Sequence, residues 1–340
     1  AHIRTLGSIA AAQALTVSLS AGSNAVADIW TPEVSVNAVN VTVLVSDAEA
    51  KGAFHAFVEA ADVQAGSATV LNDYSSYAHA ATGSAGGVGV NLANTDANVA
   101  NASAATTAEA YFRTTGSAVI NGALTVRADG SVNAFAEGRS RQVNVGGVRV
   151  AVNVVDAALA AEQRAFIEAD GTMNVIGALT VESLLNGGAV AENGATGRAT
   201  GGASVSLVGV DANTSTATSR TKNSAALSGT GAVRAVQAGI LAKSTTEADA
   251  SVDSGVTVGL VAIGGRESHA ATHDSVSAGI SGVALTASGD VVAEAIGNTT
   301  SEAVSTAEGG GDGVSVAYVR AQASVGGSDT ERQSVHVTVD

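Results

Sequence analysis

Apolar residues alternate with small or polar ones along much of the chain. In Gly147-Val148-Arg149-Val150-Ala151-Val152 the apolar positions are two apart. The same register recurs at Val39/Val41/Val43, Val88/Val90/Leu92, Ala203/Val205/Leu207, Val256/Val258/Leu260 and Val314/Val316/Tyr318. The intervening positions are small or polar, as in Asn40/Thr42, Gly89/Asn91 and Ser204/Ser206. A period of two predicts a β-strand buried on one face. Read this way, the valines face the core and the Asn, Ser and Thr positions face solvent. The strands start near 39, 88, 148, 203, 256 and 314, so the chain divides into about six repeats of 49–60 residues.

Two further blocks recur between these strands. Gln13-Ala14-Leu15-Thr16-Val17, Gly122-Ala123-Leu124-Thr125-Val126 and Gly177-Ala178-Leu179-Thr180-Val181 are near copies, as are Ala56-Phe57-Val58-Glu59-Ala60 and Ala165-Phe166-Ile167-Glu168-Ala169. The connecting stretches are rich in Gly, Ser, Asn and Thr, which is turn chemistry. Several strands per unit, repeated along the whole chain, predict an all-β fold: a single β-solenoid, a parallel β-helix, over residues 1–340. Residues 1–38 read as a partial repeat with an irregular insertion near 18–33. With a usual coil of roughly 20–25 residues, each unit would supply two or more coils. A six-bladed propeller is the competing repeat architecture and usually carries more aromatic residues.

Composition supports a narrow interior. The 340 residues are 46% hydrophobic but only 3% aromatic, with 40 Gly and a single Pro. Ala and Val fill a core only where backbones lie close together in regular layers. The net charge of −15 argues against nucleic acid and against an electrostatically held anionic membrane surface. The absence of cysteine excludes disulfides, thiolate catalysis and Cys-based zinc sites. No apolar run reaches the 18 residues that span a bilayer as a helix.

The ends share a phase. Arg4-Thr5-Leu6-Gly7-Ser8 matches Arg113-Thr114-Thr115-Gly116-Ser117, which aligns Ala1 with Ala110, and the alternating stretch 334–340 ends near the same point of the repeat. Neither end carries a polar cap, although solenoids normally need one. Two readings stay open: copies stack head to tail as a homopolymer, or the chain is a segment of a longer repeat protein.

Candidate chemistry is sparse. Asp47, Asp96, Asp156 and Asp211 each lie eight residues after a strand start, and stacked carboxylates on successive coils are candidate calcium ligands. The competing reading is a strand-end Asp that satisfies turn amides. His269 and His273 would share a strand face but lack the Glu of a zinc-protease helix. The pairs Glu162/Glu168 and Glu302/Glu308 are candidates to flank a glycosidic bond. Trp30, Phe54, Phe57, Tyr74 and Tyr77 gather in the first quarter of the chain, where local packing or a subunit contact is favoured over a ligand platform. Gly309-Gly310-Gly311-Asp312-Gly313 is a single Gly/Asp turn. No catalytic or cofactor-binding set stands out, so the chain reads as a non-enzyme.

The run from Gly146 to Ala157, together with Gly177-Ala178-Leu179-Thr180-Val181, resembles the repeat stalks of large secreted bacterial adhesins, the filamentous-haemagglutinin-like proteins. The resemblance covers nearly the whole chain in repeat style. It implies a right-handed β-helix, export to the cell surface, and a role in attachment or matrix, with host or neighbouring cell-surface glycans as candidate partners. It carries no catalytic residues across. The expectation is a structural subunit or segment of an extracellular fibre. The alternative is a carbohydrate-binding or carbohydrate-cleaving β-helix.

Overall fold

The computed structural model describes residues 1–31, 35–187, 194–253, 255–306, 314–326 and 334–339. The fold is all-β, and every strand pairing is parallel. It is a parallel β-solenoid. Partners lie more than fifty residues apart in sequence: Ser8 pairs with Asp62, Val88 with Val143, Val143 with Ala203, and Val205 with Val258. One repeat therefore makes one wide turn, where two or more narrow coils were expected. Each turn runs out along one long strand and back along another, as 62–84 and 88–114 do in the second turn. The outgoing stretches form one sheet and the returning stretches a second, and their inner faces meet.

The interior is zoned along the long axis of the turn. At the corner where one turn passes to the next, inward columns are large and apolar. Val58, Phe112, Ile167, Leu227 and Ile280 form one, and Val17, Val70, Val126, Val181 and Ile240 the facing one. Leu15, Leu124 and Leu179 lie in this core, with Ala68 between the first two. Next comes a belt of amides. Asn72 Nδ2 donates to the Phe54 and Glu109 carbonyls at 2.8 and 3.0 Å, crossing between sheets and turns. Gln163, Ser183 and Asn223 repeat that bridge two turns on, with Asn223 Nδ2 donating to the Lys243 carbonyl at 2.7 Å. Beyond the belt the inward columns are alanine, among them Ala78, Ala80, Ala102, Ala104, Ala134 and Ala157, which lets the two sheets approach closely. The far tip is lined by Asn, Asp, Ser and Arg.

The corners are stacked as strictly as the strands. Gly116, Gly171 and Gly231 fall in one column, and a Cβ on Gly171 would sit 1.8 Å from the Gly116 carbonyl oxygen. At these three rungs a side chain would run into the backbone of the neighbouring corner, whereas Ala61 and Val283 occupy the same column on the flanking turns. The chain absorbs one length change: Gly130 pairs with Leu185, but Ala134 with Ala195, so residues between 185 and 195 exceed what the ladder needs. There Asn186 adopts φ 52°, and its side chain substitutes for a strand. Its Oδ1 accepts from Val132 N at 2.7 Å and its Nδ2 donates to Val132 O at 3.2 Å.

Two expectations need correction. Residues 18–31, expected to be irregular, continue the strand Ser8–Thr31, with Leu19 paired to Asn72 and Trp30 to Gly83. Pro32 lies outside the described residues. More consequentially, the Val/Leu positions of the alternating stretch face outward. Val39 is 66% exposed, Val90 51% and Val205 50%, while Asn91, Asn94, Asp96, Asn153 and Ser206 are buried. Face assignment from alternation assumes that the apolar set seeks the interior. Here the tip interior is instead filled by polar side chains, of which Asn40, Asn94, Asn98, Asn153 and Asn213 bond from turn to turn.

Candidate interaction surface and polar interior

The outward valines form a face because their stacking is in register. Val36, Val90, Val145, Val205 and Val258 make one column; Val39, Ala93, Val148, Val208, Val261 and Val314 make another. Between these columns five returning strands each carry one unpaired position, occupied by Ala38, Leu92, Gly147, Leu207 and Leu260. An extra residue of this kind reverses the alternation. Residues before and after it therefore both present their apolar set outward. It also explains why Val88, Ala203 and Val256 sit in a column five residues before that of Val39, Val148 and Val314, although the sequences align without it.

Behind this face lies an asparagine ladder. Asn98 Nδ2 donates to Asn153 Oδ1 at 2.8 Å, and Asn153 Nδ2 to Asn213 Oδ1 at 2.6 Å. Asn40 donates to Asn94 at 2.9 Å, and Asn94 to Asp96 at 2.6 Å. Arg149, 2% exposed, fills the same seam with Nη1 3.7 Å from Asp211 Oδ1. Further along, the buried Asp274 joins the two sheets, accepting from Thr221 N and Oγ1 at 3.0 and 2.7 Å and from Thr246 Oγ1.

The four candidate calcium ligands separate into two columns on opposite faces. Asp47 and Asp156 point outward with Asn101 between them; Asp96 and Asp211 point inward with Ala151 between them. Burial pushes the Asp156 carboxyl above the usual range. No two of the four occupy adjacent rungs of one column, and among the described residues no group of three His, Cys, Asp or Glu is placed to hold a metal ion. His269 and His273 lie on one face, the latter beside a groove of about 550 Å³ lined also by Thr106, Glu162, Arg220, Lys222 and Asp274. Glu162 thus opens on that groove, whereas Glu168 is held by Arg113. Glu302 neighbours Asp249 on the adjacent turn; Glu308 and the turn 309–313 fall outside the described residues.

The aromatic residues also divide. Phe54 and Tyr74 stack inside, 5.2 Å between centroids, and burial raises the Tyr74 phenol. Phe57 joins an outward stack, His2–Phe57–Tyr111–Phe166, with centroids 4.8, 4.6 and 4.8 Å apart. Those spacings match the strand separation of a sheet, so register alone stacks the rings. Beside the stack runs a column of alternating charge, Arg4, Glu59, Arg113 and Glu168. Arg4 Nε lies 2.8 Å from Glu59 and Arg113 Nε 2.7 Å from Glu168. The Glu168 hydrogen bond holds the Arg113 guanidinium above its usual pKa. The aromatic stack steps down to Ala226 after Phe166, leaving a shallow groove of about 280 Å³ walled by Phe166, Arg164 and Glu168.

Among the described residues no helix is long and apolar enough to cross a membrane. No protein-family model, curated protein or solved structure matches the chain.

Proposed function

We propose that the chain is a structural segment of an extracellular bacterial fibre, built by continuing one parallel β-stack past both edges. The observation that supports this most is the column Ile3, Val58, Phe112, Ile167, Leu227, Ile280 and Val339, one residue per turn. His2–Arg4 and Ser334–Val339 lie in overlapping columns of this one continuous stack. Rigidity in this reading comes from backbone ladders, amide ladders and stacked apolar columns acting together. Attachment to surface glycans, or a place in a matrix, would be the task of such a rod. Negative-stain microscopy of the purified chain tests the reading: filaments or end-joined rods support it. Isolated particles at every concentration overturn it.

A carbohydrate-acting role is the second reading, and the groove beside Glu162, Arg220 and Lys222 is the feature that favours it. Release of oligosaccharides from a polysaccharide panel, lost in E162Q, would favour it over the fibre.

A further inference from the structure

We propose that the valine face is a lateral contact between two copies of this chain, packed sheet on sheet. It goes beyond end-to-end stacking, because the surface involved is the side of the solenoid.

Three observations carry the inference. First, the face is uncharged. In the five turns that pair from Val36 to Val258, and outward through the columns of Val39, Val41 and Val43, every outward residue is Val, Leu, Ile, Ala, Thr, Gly or Tyr. Charges begin only at the flanks, with Asp47, Asp156, Glu267 and Arg320. The outer face of the opposite sheet differs, carrying Arg127, Asp129, Glu182, Glu247, Asp249 and Glu294.

Second, the inside–outside pattern is inverted there. The strands that expose these valines bury Asn98, Asn153, Asn213, Arg149 and Asp211. A protein that buries its polar groups and exposes its valines over one contiguous area has placed its apolar surplus where a partner covers it.

Third, the area is that of a stable dimer. Five spacings of about 4.8 Å between six turns, and some nine residues at about 3.3 Å, give a face of roughly 24 by 30 Å. Two such faces would bury about 1,400 Å² in total, within the standard range of specific interfaces. A flat parallel sheet face is complementary to a second copy of itself across a two-fold axis, with strands aligned to within about 30°. A lipid surface fits less well, since the flanking charges named above are mostly acidic, Asp47, Asp156 and Glu267 against Arg320, in a chain of net charge −15.

The test uses sedimentation of the full chain and of V145K/V205K, whose sites are exposed and so leave the core untouched. The wild type is expected to dimerise at micromolar concentration, and the double variant to associate at least about tenfold more weakly, with an unchanged β-sheet spectrum. Because the chain has no cysteine, V205C and S75C report separately on the two sheet faces. Maleimide labelling of V205C should slow as protein concentration rises, while S75C stays constant. A monomeric wild type overturns the proposal. Association that protects neither cysteine, which would mean contact through the ends alone, overturns it too. So does flotation with phosphatidylcholine vesicles that V145K/V205K abolishes in the absence of dimer.

Discussion

Asn153 donates from Nδ2 to Oδ1 of Asn213 on the next turn, at 2.6 Å, and accepts from Asn98 on the turn before. Its neighbour Val154 faces solvent, 38% exposed. Removing the amide strands a buried donor on Asn98 and a buried acceptor on Asn213. N153A should therefore destabilise the fold by about 2–4 kcal/mol. V154A removes exposed methyl groups and should cost under about 0.5 kcal/mol. Urea denaturation of the two variants compares them directly; the reverse order would mean that the faces are assigned wrongly.

The Arg4–Glu59–Arg113–Glu168 column holds register, because a slip of one turn would bring like charges together. R113E stacks three carboxylates on adjacent rungs. Part of the column is exposed, so the loss should be modest, about 1 kcal/mol, and larger at low salt. Adding E168R to R113E should recover part of it. Thermal melts at two ionic strengths measure both effects.

Asp249 has its carboxyl pushed upward chiefly by burial, opposed by Arg198 and reinforced by Glu302 on the next turn. An acid whose folded pKa exceeds its unfolded value binds its proton more tightly when folded. Its contribution is therefore favourable below the ordinary carboxylate pKa and is lost as pH rises through the folded value. D249N should raise the melting temperature at neutral pH relative to wild type, and the gain should shrink as pH falls toward 4. A gain that grows on acidification would contradict this assignment.

The outward ring stack supplies a fourth test. Tyr111 lies between Phe57 and Phe166, at 4.6 and 4.8 Å. Y111A opens a gap in the stack while leaving the inward column of Phe112 intact. The expected loss is about 1–2 kcal/mol from two ring contacts, in addition to the area that this ring, 9% exposed, itself buries. F112A empties a fully buried site and should cost about 3–5 kcal/mol. A loss from Y111A below about 1 kcal/mol would contradict the stacking of the outward rings.

The sequence shows the solenoid plainly, because stacked turns leave near copies such as Gly122–Val126 and Gly177–Val181 at matching positions. The buried columns of Leu15, Leu124 and Leu179 follow from those copies. Which way the valines face does not, since alternation reports two faces without saying which is inside. The evidence for the inversion is faint but present: Asn98, Asn153 and Asn213 recur one turn apart among valines, a costly pattern unless the amides bond to each other. The phase error among Val88, Ala203 and Val256 has a single cause in the unpaired position at Leu92 and its equivalents. It also accounts for the aspartates, since an offset of eight from two different phases lands on two faces. Asp274 was not legible, because its hydroxyl partners come from both sheets and from separate turns.

The most direct test of the inside-out tip is a cysteine scan of residues 88–98, each variant labelled by maleimide under native conditions at concentrations where the chain is dispersed. Cysteines at 88, 90 and 92 should react rapidly, and those at 89, 91, 94, 96 and 98 slowly, with the alternation reversing between 92 and 93. Uninterrupted alternation through 98, or protection at 88, 90 and 92 instead, would contradict the account.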